Sequence, residues 1–435
     1  MRGFAVIVCC AAYLISAMNL SFAETTAYIP NNGDNTITQV LTTPEEFESV
    51  ALADNPYGAA VTPDGDYVFV TRSGTDIVTR IATNNFSNTS AQVHITVGNG
   101  PRGVAVEPEN EFAYVANFDD DSVSKIDIRG TSVDATISVG NGPLGVAASY
   151  DQADDTPMVY VTNNLGNSLT VIGDNDQTTR LSNLCDEPAG VAVTPNGTTV
   201  YVACTGDNTV KVIRTSNNTT AATIDVGNQP WGVAVGSDGQ YVFVTNSGGD
   251  TVTVITTSNN SVADTISVGD NPVGVAAPLN GDFAYVVNQL DNSIHVVDVS
   301  SDTISATEIG VNELNEAVSI GAFIGGLPPS APSGLEAETI NDTEIELTWN
   351  DNSTDELGFK IERREDSEEA FVQIAKVDDD TETYTDDEVD GTTTYHYRVR
   401  SYNEAADSTA SSSAEATTNE EDFSWCFVGT IYWHE

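Results

Sequence analysis

The chain has 435 residues, 40% of them hydrophobic, and its 65 acidic against 15 basic side chains leave a formal charge of −50. That length exceeds one ordinary domain and can bury large cores. A field of that sign repels nucleic acid and anionic lipid, which argues against both as partners and suits an exported protein in a salty medium.

The first stretch, MRGFAVIVCCAAYLISAMNLSFA, has a basic residue (Arg2), an apolar run from Phe4 to Met18, then Ser21-Phe22-Ala23. It reads as a signal peptide over residues 1–23, cut before Glu24. No later stretch approaches the ~20 apolar residues of a membrane helix, so no membrane insertion of the mature chain is expected. The expected location is extracellular or the cell surface, with the periplasm as an alternative. Cys9 and Cys10 leave with the peptide, and Cys185, Cys204 and Cys426 remain.

Residues 24–326 are a repeat. A Pro-x-Gly opening with a small-apolar run recurs at Pro56 (PYGAAV), Pro101 (PRGVAV), Pro143 (PLGVAA), Pro188 (PAGVAV), Pro230 (PWGVAV) and Pro272 (PVGVAA), spaced by 45, 42, 45, 42 and 42 residues. A degraded copy, NEAVSI, follows near Asn315. A second element, an alternating hairpin, appears seven times, from YIPNNGDNTITQV at Tyr28 to YVVNQLDNSIHVV at Tyr285. Each unit carries four strand signals and no helical periodicity. Four-stranded units at this period define a β-propeller, with GVAV as the innermost strand, where crowding at the axis requires small side chains.

The array enters at Tyr28 with a hairpin lacking its inner strand. It leaves with an inner-type strand, Ala317 to Ile320 running into GAFIGG, that lacks its hairpin. Together these fragments complete one blade. The expected fold is therefore all-β: a seven-bladed β-propeller closed by pairing of its N- and C-terminal strands, which removes exposed sheet edges. The repeat resembles the YVTN-family β-propeller, Tyr160-Val161-Thr162-Asn163 matching the name motif letter for letter.

A Pro/Ser-rich linker (327–334) precedes short alternating strands over 335–418, the pattern of a small β-sandwich. This stretch resembles a fibronectin type III domain of bacterial secreted proteins. The resemblance implies that Trp349 is the core tryptophan and that Val389 to Tyr395 form a tyrosine corner, with Tyr395 bonded back to the backbone; both residues are read as structural. The tail, 419–435, is aromatic, and its Cys426-Phe427-Val428-Gly429-Thr430 is weakly similar to Cys-Phe-Ile-x-Thr tails of exported proteins, which would imply sorting or modification at Cys426.

Chemistry is sparse. His94, His295, His396 and His434 are scattered without a second ligand at zinc spacing, so neither a metal centre nor a haem is expected. No nucleophile elbow, P-loop or nucleotide fingerprint appears. Asp119-Asp120-Asp121 and Asp378-Asp379-Asp380 lack EF-hand spacing and read as solvated turns, with loose calcium binding the sharper alternative. No cofactor is expected. Cys185 and Cys204 fall at the same end of neighbouring antiparallel strands, which leaves two readings, a disulfide or two buried thiols.

The candidate ligand site comes from the repeat positions that vary. The residue between Pro and Gly faces the mouth of the central channel: Tyr57, Arg102, Leu144, Ala189, Trp231 and Val273. Arg72, Phe118, Asn164, Thr205, Ser247 and Gln289 are assigned to the same face. Arg72 with Arg102 would hold a carboxylate or phosphate, unless each pairs with local acids, and Tyr57 with Trp231 would wall a sugar. The leading functional expectation is a secreted or cell-surface, non-enzymatic binding or adhesion-type protein. Its propeller is the interaction platform, its fibronectin-like domain the spacer, and its partner an extracellular protein or glycan. The alternative is a lactonase-like or other small-molecule hydrolase at the channel mouth. It needs a convergent acid, base or metal set, whereas Asp186, Glu187 and Glu316 come from scattered blades. A redox accessory propeller would need ligands that four histidines do not supply.

Overall fold

Alternation of small, β-branched and aromatic residues between Asx-Gly turns makes each repeat a four-stranded antiparallel sheet, and seven such sheets form. The computed structural model describes residues 25–419 except 43–44, 53, 109, 151–156, 237, 278–282, 300–302, 310–313, 319–323, 327–330, 353–357, 367–370, 379–380, 388 and 403–409. The signal-peptide stretch and the tail with Cys426 and His434 lie outside the described residues.

Blade 6 shows the plan: Pro230–Val235, Tyr241–Asn246, Thr251–Thr256 and Ser261–Ser267, hydrogen-bonded in that order. The second strand is almost wholly buried because blades cover both of its faces, whereas the fourth is nearly all exposed. The aromatic that opens each hairpin motif wedges between blades: Tyr28, Phe69, Tyr114, Tyr160, Tyr201, Phe243 and Tyr285 are all at most 3% exposed.

The innermost strands approach too closely for a side chain at the glycine of Pro-x-Gly. A Cβ on Gly103, Gly145 or Gly190 would lie 2.2, 2.5 or 2.4 Å from the carbonyl oxygen of Leu144, Ala189 or Trp231 in the next blade. The motif threonine bridges the same seam. Thr162 Oγ1 accepts from Gly145 N at 2.8 Å and donates to Ala189 O at 2.5 Å, and Thr71 does the same with Gly58 N and Arg102 O.

Blade 1 joins the chain's two ends. Its strands are Thr25–Asn31, Thr36–Thr42 and Glu45–Ala51, with Ile324–Gly326 paired antiparallel to the first. The sequence placed the closing strand at Ala317 to Ile320, running into GAFIGG. In the structure Ala317 bridges Asn31, Val318 N donates to Pro30 O, and the ladder falls at Ile324–Gly326, the end of GAFIGG.

A sevenfold hydrogen bond stitches each blade to the next. An Asn or Asp in the hairpin turn accepts from the backbone N–H just before the next blade's opening residue. The pairs are Asn35–Asn55, Asp76–Gly100, Asp121–Gly142, Asn167–Glu187, Asn208–Gln229, Asp250–Asn271 and Asn292–Glu316, at 2.8 to 3.1 Å. All seven acceptors lie in the left-handed region, φ +48° to +58°, which Asn and Asp tolerate best among residues with a side chain. The stitch at Asn292–Glu316 sets Ala317, opposite Asn31, at the place of the motif proline, two residues later than the NEAVSI copy read from Asn315.

The second region packs a three-stranded sheet (Ser333–Thr339, Ile345–Asn350, Thr383–Asp386) on a four-stranded one (Gly358–Glu365, Val372–Asp378, Thr394–Tyr402, Ala414–Thr417). Trp349 is 4% exposed, its ring centroid 5.5 Å from that of Phe359. The Tyr395 hydroxyl accepts from Asp390 N at 2.9 Å, the geometry of a tyrosine corner. Asp386, 2% exposed, receives Arg363 Nη1 at 2.7 and 2.9 Å and the Tyr397 hydroxyl at 2.8 Å.

Candidate functional site at the channel mouth

The residues between Pro and Gly converge where the inner strands begin. Tyr57, Phe118 and Trp231 pack on buried Leu144 and Ala189, closing this end of the axis with apolar and aromatic groups. The Arg102 guanidinium lies over the Phe118 ring at 3.6 Å and the Tyr57 ring at 5.4 Å, so cation–π contact holds it in the plug. Burial pushes the Tyr57 phenol above its ordinary range, outweighing the opposing charge of Arg102.

Beside the plug lies a pocket of about 280 Å³ lined by Tyr57, Trp231, Ser247, Asn271, Val273, Gln289 and Val318. Asn271 Nδ2 donates to Gln289 Oε1 at 2.8 Å and Ser247 Oγ donates to Gln229 O at 2.9 Å. The Asn271 Oδ1 acceptor and the Gln289 Nε2 donor keep capacity for a ligand. The Trp231 indole N–H is buried without an acceptor, a cost of about 1–3 kcal/mol that some rearrangement or ligand would relieve. Tyr57 and Trp231 thus share one pocket. Asn271 and Val318 went unnoticed in the sequence, where NEAVSI read from Asn315 puts Glu316 at the mouth position; Val318 takes it because Ala317 stands at the place of the motif proline.

Arg72 is not a mouth residue, and its assignment to that face is corrected by strand register. Pro56 pairs with Arg72 as Pro101 pairs with Asn117, Pro143 with Asn163, Pro230 with Asn246 and Pro272 with Asn288. Arg72 therefore stands at the Asn of the motif, and Ser73 is the equivalent of Phe118, Ser247 and Gln289. At this position the chain builds an internal clasp. Asn163 Nδ2 donates to Ser168 Oγ and Thr170 Oγ1 at 3.1 and 2.9 Å, and Asn31, Asn117 and Asn246 repeat both bonds. Arg72, 6% exposed, substitutes by reaching Thr79 Oγ1 with Nη1 at 3.4 Å. Burial lowers its pKa, against Asp54, which raises it. Thr79 Oγ1 also lies 3.1 Å from His94 Nδ1, and burial, then the charge of Arg72, lowers the His94 pKa. Arg102 instead stacks at the mouth, so the contacts of the two arginines belong to different places.

Blade 5 carries the other replacement. Cys204 stands at the clasp Asn, paired with Pro188, and is joined to Cys185 with S–S 2.10 Å and Cα–Cα 5.8 Å. Cys185 occupies the position of Gly98, Gly140, Gly227 and Gly269, where the Asn side chain would meet a Cβ at 2.5 to 2.8 Å. One disulfide thus replaces one Asn–Gly contact, and Thr209 Oγ1, which an Asn at position 204 would bond, is buried without a partner.

Asp120, Asp121 and Asp207 serve as structural acceptors. Asp120 accepts from Asn99 N and Nδ2 at 2.6 and 2.8 Å, Asp121 from Gly142 N, and Asp207 from Asp186 N at 3.1 Å. Among the described residues, no group of three or more His, Cys, Asp or Glu is disposed to hold a metal ion. Among them, too, no helix is long and apolar enough to cross a membrane.

With this geometry in hand, comparison defines the class. Residues 31–229 match the family described as lactonase, 7-bladed β-propeller, and residues 330–417 match the fibronectin type III domain. The chain thus carries one stretch that matches a lactonase-type seven-bladed propeller and another that matches a fibronectin type III domain. Similar solved structures include Kuenenia stuttgartiensis hydrazine synthase (19% identity, 64% of this chain and 93% of that one, TM-score 0.55). A protein described as a 6-phosphogluconolactonase from Bacteroides uniformis is 14% identical over 68% of this chain and 98% of that one, TM-score 0.55. A streptogramin B lyase is 12% identical over 68% of this chain and 91% of that one, TM-score 0.53. At these identities the likeness is one of fold. No curated protein matches the chain in sequence.

Proposed function

We propose that this chain is an exported, non-enzymatic binding protein whose propeller, of the YVTN-repeat kind, presents a glycan site at the channel mouth, with the fibronectin-type domain as spacer. The observation that carries this reading is the mouth pocket: Tyr57 and Trp231 beside the neutral groups of Asn271, Gln289 and Ser247. Aromatic faces receive the C–H surface of a pyranose, and amides exchange hydrogen bonds with its hydroxyls. A volume of about 280 Å³ suits one sugar unit or chain end. The N-terminal 23 residues support export, and the charge of −50 supports a salty extracellular setting.

The test is a glycan array probed with the mature full chain, with and without calcium, beside Trp231→Ala and Gln289→Ala. Loss of the signal in both variants, with unchanged melting, supports the site; equal signals in all three proteins refute it. A second reading, a lactone or ester hydrolase, is favoured by the family match over residues 31–229 and by the neighbour described as a 6-phosphogluconolactonase. Turnover of lactones by the mature chain, abolished by substitution at the mouth, would establish it in place of the first.

A further inference from the structure

Behind the mouth plug the axis of the propeller is hollow. A cavity of about 240 Å³ runs along the innermost strands of blades 2 to 7. Among the described residues every side chain on its wall is apolar: valines and alanines such as Val146, Val191, Ala192, Val233 and Val275, with Trp231 at the mouth end. Trp231 lines the mouth pocket as well, so its indole is the partition between a polar site and an apolar one. The opposite end is open to solvent. Val61, Val106, Val193 and Val235, the last residues of their strands, are half-buried, whereas Val104 and Val146, deeper in, are 0% and 5% exposed.

We propose that this well is a second ligand site, which takes a saturated aliphatic chain end-on from the face opposite the mouth. Three observations carry it: the closed end at Trp231, the solvent-reached rim, and, among the described residues, a wall without a polar side chain. A cavity of about 150 Å³ lined by apolar side chains takes benzene or xenon. In proportion, 240 Å³ holds about nine or ten carbons. Among the described residues the polar surface of the tube is backbone rather than side chain, apart from the Trp231 indole, so no charged group meets the headgroup and it stays at the rim. The competing occupant is water bonded to strand edges, and the experiment separates the two. The site is independent of the glycan reading, since only the indole of Trp231 is shared.

The mature full chain is titrated with 1-hexanol through 1-dodecanol, followed by the valine methyl resonances. Affinity should rise about fourfold per methylene, then level off near ten carbons. Ala192→Phe, which fills the well, should lower 1-decanol affinity at least tenfold while leaving glycan binding unchanged, and Gln289→Ala should do the reverse. Xenon applied to the unmodified protein should shift the methyls of Val191, Val233 and Val275, which keeps the proposal testable if Ala192→Phe fails to fold. Absence of saturable alkanol binding, affinity independent of chain length, or xenon that leaves those methyls unmoved overturns it.

Discussion

Replacing Cys185 by Gly and Cys204 by Asn should convert the covalent join of blade 5 into the clasp used elsewhere in the ring. The two cysteines are 19 residues apart, and closing a loop of that size restrains the unfolded chain by about 3 kcal/mol. Replacing both by Ser forfeits that term and buries two hydroxyls where Cys204 is 0% and Cys185 9% exposed. It also leaves Thr209 Oγ1 buried without a partner. Asn at position 204 would instead donate to Thr209 Oγ1, as Asn246 donates to Thr251 Oγ1 at 3.0 Å. A hydrogen bond of this kind contributes about 1 kcal/mol, and it ends the penalty of an unsatisfied hydroxyl, about 1–3 kcal/mol. The Gly/Asn protein should therefore lie within about 1 kcal/mol of the parent, and the Ser/Ser protein should be less stable than the parent by about 3–5 kcal/mol. Urea denaturation of the three proteins, without reductant, reads the order directly. Adding Thr209→Val should then cost about 1 kcal/mol in the Gly/Asn background and stabilise the parent by about 1–3 kcal/mol, because there it removes an unsatisfied hydroxyl. A Ser/Ser protein as stable as the Gly/Asn one, or a Thr209→Val change indifferent to background, would refute the reasoning.

Arg72→Asn should preserve the fold, since Asn at this register reaches Thr79, and should raise the His94 pKa by removing a neighbouring positive charge; an NMR titration of His94 that does not move contradicts the assignment. Glu107, 1% exposed, has its carboxyl pKa raised by burial, against hydrogen bonds from Phe112 N and the Tyr114 hydroxyl. A folded-state pKa above the unfolded one means that its contribution is fully present at low pH and is lost as pH rises through the raised value. Glu107→Gln should accordingly flatten the melting profile between mildly acidic and neutral pH. In the fibronectin-type domain, Asp386→Ala removes an acceptor shared by Arg363 and the Tyr397 hydroxyl and should destabilise the full chain to denaturation by about 3–5 kcal/mol.

Much of this molecule is local and so was legible residue by residue. Strand alternation depends on positions i and i+2, the turns on Asx and Gly, and the repeat period on counting; together these yielded seven blades and the out-of-phase ends, while Trp349 and Tyr395 as core residues came from the resemblance to fibronectin type III domains. Recognising that Pro56 and Arg72 face each other, and hence that Arg72 is a clasp residue, requires cross-strand register, because Arg bears no chemical likeness to Asn. Cys185 and Cys204 could be read as a bridge or as two thiols until the ladder set Pro188 opposite Cys204. The mouth is less local still. Tyr57 and Trp231 lie 174 positions apart in the chain and meet only because the rotation between successive blades returns the ring upon itself. That rotation follows from how blades pack, with glycines pressed against neighbouring carbonyls and seven Asn or Asp stitches across the seams. The sequence by itself therefore determined the units and their number. Only the tertiary structure decided which side chains share the pocket, that an apolar well lies behind it, and that Trp231 divides the two.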